Sequence, residues 1–164
     1  MNMALAITVL GVLLTAVGLV ALWPSMVVDA CPPTDQSQPF SVPFKITNTG
    51  YLPVKNVKIY CYAHRVRVGP IDAQSNLMSN SKWSTSHLGR GESITIIANF
   101  VKAPVLPAEA DMAIISDFNS FGAPFLKLRS LTRFVGHFGE TWQWLKQPSH
   151  EVKAAAARMI DRAK

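Results

Sequence analysis

Acidic residues are scarce in this chain. Ten Asp and Glu stand against sixteen Lys and Arg in 164 residues, a net charge of +6. Cysteine is scarcer still, at two, which excludes a disulfide-dense scaffold and the cysteine-rich zinc modules. The four histidines, His64, His87, His137 and His150, are scattered and include no pair four residues apart, so none of the usual zinc spacings is met. There is no Gly-x-Ser-x-Gly elbow and no phosphate-cradling glycine loop ahead of a helix. The close carboxylate pairs, Glu109 with Asp111 and Asp111 with Asp117, match no acid/base motif of the glycosidase kind. A non-enzyme without cofactor or metal is the expectation. No Asn-x-Ser/Thr sequon is present, and between Met3 and Trp23 there is no charge and no proline.

That last absence defines the most informative segment. Residues 3–23 are almost all Ala, Leu, Val, Ile and Gly. As a helix rising about 1.5 Å per residue they would reach roughly 31 Å, enough to cross the ~30 Å hydrocarbon core with every backbone group paired internally. A cleaved signal fits less well: no basic residue precedes the run, which exceeds the ~7–15 residues of a signal core. Trp23-Pro24 reads as an interfacial anchor and a helix stop. A competing reading takes Val28-Asp29-Ala30-Cys31 as a lipoprotein processing site. No Lys or Arg occurs before Lys45, so the charge bias is weak, and Asp29 and Asp35 after the span favour a domain outside the cytoplasm. Ala4, Thr8, Gly11, Thr15 and Gly18 draw a small-residue stripe down the span, a candidate helix–helix contact. Cys31 and Cys61 form a candidate disulfide, whose loop of about 30 residues would contribute roughly 3–4 kcal/mol; the other reading of Cys61 is a small buried strand residue.

From residue 25 the pattern becomes period two. Phe40, Val42, Phe44 and Ile46 alternate with Ser41, Pro43 and Lys45. Val57, Ile59, Cys61 and Ala63 alternate with Lys58, Tyr60, Tyr62 and His64. Residues 69–86 read as a long polar loop with a short strand near Trp83. Further strands are expected at Ile94–Phe100, at Ala110–Ile114 and around Leu126 to Phe134, and a turn at Gly136–Gly139 returns the chain into Thr141–Leu145. About seven strands without a βαβ pattern predict an all-β antiparallel sandwich over residues 25–148. The anchor occupies 1–24 and a C-terminal segment 149–164. In that segment Val152, Ala155, Ala156, Met159, Ile160 and Ala163 share a helical face among basic residues, predicting a short amphipathic helix that packs, lies on a membrane or frays.

Two stretches, Phe44-Lys45-Ile46-Thr47-Asn48-Thr49-Gly50 and Leu88-Gly89-Arg90-Gly91-Glu92-Ser93-Ile94-Thr95, resemble the "N-T-G" and "L-x-x-G-E-S-x-T" turns of the bacterial cell-adhesion-related, immunoglobulin-like domains. The resemblance covers about sixty residues and implies an immunoglobulin-like fold with no catalytic residues. Asn and Gly in these turns are expected to supply positive φ.

Three groups point to partners. Lys127, Arg129 and Arg133 share one outward strand face, suited to an acidic protein surface or anionic lipid. Trp142 and Trp144 project to one side of a strand, either into the core, the preferred reading, or as a partner surface. The amphipathic C-terminal segment is the third. The sequence thus predicts a single-pass inner-membrane protein whose periplasmic domain serves as an interaction or structural subunit, through a protein partner or self-association, and not on nucleic acid. The alternative is a secreted or lipid-anchored domain binding a small ligand or glycan.

Overall fold

The computed structural model describes residues 23–32, 39–79, 82–98, 100, 107–121 and 123–148, with isolated positions at 8, 9, 11, 12 and 15. Nine strands form two antiparallel sheets: β1 (Met26–Ala30), β2 (Pro43–Asn48), β3 (Val54–Val68), β4 (Ile71–Met78), β5 (Trp83–Leu88), β6 (Ser93–Ile97), β7 (Glu109–Ser120), β8 (Ala123–Phe138) and β9 (Trp142–Lys146). The smaller sheet runs β1-β2-β6. The larger runs β4-β3-β7-β8-β9, with β5 also on β3. β5 pairs with residues 54–59 of β3 and β4 with 62–68, so two strands lie end to end along one edge of β3.

The sheets bury one face each against the other. Val28, Phe44, Ile46 and Ile96 from the small sheet meet Ile59, Cys61, Met112, Ile114 and Phe134 from the large one, all buried. Aromatic rings join the layers: Phe44 lies 5.0 Å from Phe134 and 6.2 Å from Trp144 between centroids. Trp142 and Trp144 are 5.4 Å apart in an edge-to-face pair, a geometry worth about 0.5–1.5 kcal/mol beyond area burial. An ion pair from Lys146 on β9 to Asp29 on β1, 3.5 Å, ties the sheets at their margin.

Several expectations are corrected here. For Trp142 and Trp144 the preferred core reading holds, at 1% and 7% exposed, and it is the partner-surface alternative that falls. Cys31 and Cys61 are both free thiols. Cys61 faces the core from mid-β3, whereas Cys31 lies beyond β1 with its N–H on the carbonyl of Pro43 at 2.8 Å. Residues 69–86 are not a long loop: they hold β4, which its polar sequence had disguised, and the start of β5, the strand expected near Trp83. Strand β1 was not expected at all, and Phe40 belongs to a 3₁₀ turn at Pro39–Ser41, not to β2. Gly136 lies within β8. A Cβ there would sit 2.4 Å from Cζ2 of Trp142, so glycine is the seat on which the indole packs.

The apolar run 3–23, its proposed stripe and the segment 149–164 lie largely or wholly outside the described residues. Of the stripe, Thr8, Gly11 and Thr15 are helical and exposed, with the Thr15 hydroxyl donating to the Gly11 carbonyl at 2.8 Å. No helix among the described residues is long and apolar enough to cross a membrane.

Candidate functional site: a basic groove on the outer sheet face

The outer face of the large sheet carries the charged side chains, and a β-bulge decides which they are. Along β3, Lys55 pairs with Asn119 and Lys58 with Asp117, so Asn56 and Val57 together oppose Phe118. Asn56 takes up the extra length at φ 52°, a left-handed conformation that Asn tolerates better than most residues. Val54 and Val57 both face the core as a result, and beyond the bulge Lys58, Tyr60 and Tyr62 point outward. The same residues paired without the bulge would invert that assignment. A second irregularity at His64 returns Arg65 and Arg67 to the outer face.

Cross-strand registry arranges this face in rows. Arg65 and Arg67 lie beside Asp111 and Glu109, with Asp72 across on β4. Arg65 donates through Nε to Asp72 at 2.8 Å, and Arg67 approaches Glu109 at 3.7 Å. Basic charge here is matched by acid. A middle row of Tyr60, Ile115 and Leu131 follows. The next row is Lys58, Asp117 and Arg129, with Lys127 one step further along β8.

At this end the face is concave. A groove of about 940 Å³ is lined by Lys58 and Tyr60 from β3, Ser84 and Ser86 from β5, Asp117 and Asn119 from β7, and Lys127 and Arg129 from β8. Arg129 grips Asp117 with two hydrogen bonds, Nε to Oδ1 at 2.6 Å and Nη2 to Oδ2 at 2.8 Å. That bond, followed by the attraction of Arg129, Lys127 and Lys58, holds the Asp117 carboxyl below the usual range against the opposing effect of burial. Three cations thus surround one carboxylate. After the Arg129 pair is made, two positive charges remain, set among hydroxyl and amide groups able to hydrogen-bond an anion.

Comparison with known protein families, curated proteins and solved structures finds no match for this chain.

Of the surface residues expected from sequence, Lys127 and Arg129 come together in the groove. Arg133 lies on the same face of β8 but outside it, beside Ala113. Lys58, Tyr60, Asp117, Asn119, Ser84 and Ser86 were not expected there. The alternation of Lys58 and Tyr60 with Ile59 and Cys61 already marked them as outward, but their meeting with β8 depends on β7 lying between. Glu109, Asp111 and Asp117 do not converge: they are spread along β7, and only Asp117 enters the groove. Among the described residues, no group of three or more His, Cys, Asp or Glu is placed to hold a metal ion.

Proposed function

We propose that this chain is an interaction module of immunoglobulin-like topology, displayed from a membrane by its N-terminal apolar run, and that the outer face of its large sheet receives an anionic surface of a partner protein. The observation that carries the reading is the cation surplus around Asp117: Lys58, Lys127 and Arg129 face one carboxylate in a groove. Sheet order supports the immunoglobulin comparison. β1-β2-β6 opposite β3-β7-β8 corresponds to strands A-B-E opposite C-F-G of that fold. The departures are the addition of β4, β5 and β9 to the second sheet and an aromatic cluster, Phe44, Phe134, Trp142 and Trp144, in place of an inter-sheet disulfide. Membrane display rests on the composition of residues 3–23.

Binding of fluorescent poly-L-glutamate by the full-length chain in mild detergent tests the groove. Saturable binding is expected, weakened by salt and by Lys58→Glu or Lys127→Glu, since charge complementarity at short range is screened over about 8–10 Å at physiological ionic strength. Binding that ignores both charge reversals overturns the reading. Binding of polygalacturonate in preference to polyglutamate would replace the protein partner by an acidic glycan.

A further inference from the structure

The large sheet treats its two long strands differently. Strand β3 has its free edge covered end to end by two collinear strands, β5 and β4. Strand β8 is equally long but is covered by β9 over residues 134–138 only, and the Gln147 N–H closes the ladder on the Arg133 carbonyl at 2.9 Å. Among the described residues, no strand pairs with the same edge of β8 over 123–132. Backbone groups on one edge of an antiparallel strand recur every second residue. Since Arg133 presents its carbonyl to that edge, Leu131, Arg129 and Lys127 present their N–H and C=O groups there too. Three apolar side chains along this stretch are open: Leu131 and Leu126 are each 40% exposed and Phe125 is 87% exposed.

We propose that this rim of β8 is a docking site for an extended acidic segment of a partner protein, which adds to the large sheet as an antiparallel strand collinear with β9. Strand addition supplies affinity through the main-chain ladder and specificity through alternate side chains. Here the alternate side chains on the outer face are Lys127, Arg129 and Leu131, followed by Arg133, and β8 contains no acidic residue. A strand with carboxylates at every second position would set them opposite Lys127 and Arg129 as cross-strand pairs. A second copy of this chain is disfavoured by the same pattern, because antiparallel pairing of two β8 rims opposes Lys and Arg to Lys and Arg. The proposal rests on the reading that this face takes an anionic partner, and adds to it a backbone ladder that groove binding alone does not need.

The test is amide hydrogen exchange of the full-length chain in mild detergent, with a short peptide of alternating valine and glutamate as probe and its valine–lysine counterpart as control. The glutamate peptide is expected to slow exchange at the amides of Lys127, Arg129 and Leu131, the lysine peptide to leave them unchanged, and Lys127→Glu, an exposed substitution, to weaken the glutamate peptide by about tenfold. Absence of protection with either peptide overturns the proposal and leaves the basic side chains as guards of an open edge. Protection that grows with protein concentration in the absence of peptide also overturns it, in favour of a second copy. Lys58→Glu separates the two readings, because Lys58 lies on β3, across the groove from the rim. If it abolishes peptide binding that never protected residues 127–131, the groove stands and the strand-addition proposal falls. If protection survives it, the rim stands and the groove reading falls.

Discussion

Asn48 donates its side-chain amide to the carbonyl of Leu88, forty residues further along the chain, at 3.0 Å. The same Nδ2 reaches the Leu52 carbonyl at 3.0 Å, while Oδ1 accepts from the Gly50 N–H, also at 3.0 Å. Main-chain bonds reinforce the link: Gly91 N–H to Asn48 O at 2.8 Å and Asn48 N–H to Glu92 O at 3.1 Å. The two turn motifs picked out in the sequence are therefore one structural unit, with a fully buried Asn48 as its bolt. Replacing it leaves buried backbone groups unpaired, at about 1–3 kcal/mol each where water cannot substitute. Asn48→Ala is expected to lower unfolding free energy by roughly 2–4 kcal/mol in urea titration. Asn48→Asp should be no better, since a carboxylate cannot donate to Leu88 and Leu52. A near-neutral Asn48→Asp would show that the amide does not hold the two turns together.

Gly136 and Trp142 are matched as seat and occupant. Gly136→Ala places a methyl against the indole with no free volume, and overpacking of this kind costs about 1–3 kcal/mol. Because Trp142 and Trp144 share the displacement, their fluorescence emission should shift to longer wavelength in the folded variant. Gly139, with nothing within 4 Å of its Cβ position, should accept Ala with little change, which makes it the control.

What the sequence could show was period. Alternation at 57–63 and 94–96 located β3 and β6 and named their buried faces, because a half-covered strand must alternate. Three kinds of feature escaped it. Strand β4 escaped because its sequence, Ile71–Met78, is polar through the middle and shows no apolar alternation, whereas β5 is the short strand expected near Trp83. Glycine at 50 lacks the positive φ expected of its turn. Instead it answers a close approach, as a Cβ would lie 2.8 Å from the Ser25 N; Gly91, at φ 75°, does have the expected conformation. The groove escaped because it is assembled from four strands whose order, β5-β3-β7-β8, is not sequential. Lys127 and Arg129 were legible as an outward pair, but Asp117 could be read only as a stray carboxylate until β7 was seen to lie between Lys58 and Arg129.

The two thiols should differ sharply in reactivity. Burial pushes the Cys61 thiol up to about 12, so almost none of it is thiolate near pH 8, and the thiolate is the reactive form. Cys31 is partly exposed at the end of β1. Titration of the native protein with a disulfide reagent at pH 8 is expected to modify Cys31 alone, and both cysteines in denaturant. Neither reacting in denaturant without reductant would mean that they are bridged, contrary to the structure.

Acid sensitivity should trace to the outer sheet face. The Arg65 hydrogen bond holds the Asp72 carboxyl below its usual value, as Arg129 does for Asp117. A carboxylate with a lowered folded pKa stabilises fully above its unfolded value, about 3.9, and loses that contribution as pH falls through the folded value. Stability is thus expected to be level between pH 7 and about 5 and to decline below about 4. The effect should be modest, because both pairs are solvent-exposed. Asp117→Asn should flatten part of the decline; an identical acid limb in that variant would assign the sensitivity elsewhere.

The final prediction concerns Asn56, the extra residue of the β3 bulge, which lines the groove without contributing charge. At φ 52° a residue with a Cβ pays a conformational cost of about 1–2 kcal/mol that glycine avoids and asparagine partly offsets. Asn56→Gly should therefore preserve both stability and polyglutamate binding, while Asn56→Val should lose about 1–2 kcal/mol. Deleting Asn56 is the more telling change. It removes the extra residue of the bulge, so Val57 falls opposite Phe118 and Lys58 opposite Asp117 in regular pairing, each on the face it already occupies. Lys58 therefore stays in its row with Asp117 and Arg129. Retention of polyglutamate binding is expected in both variants; loss in the deletion alone would show that the left-handed turn at Asn56, and not the cross-strand row by itself, positions Lys58.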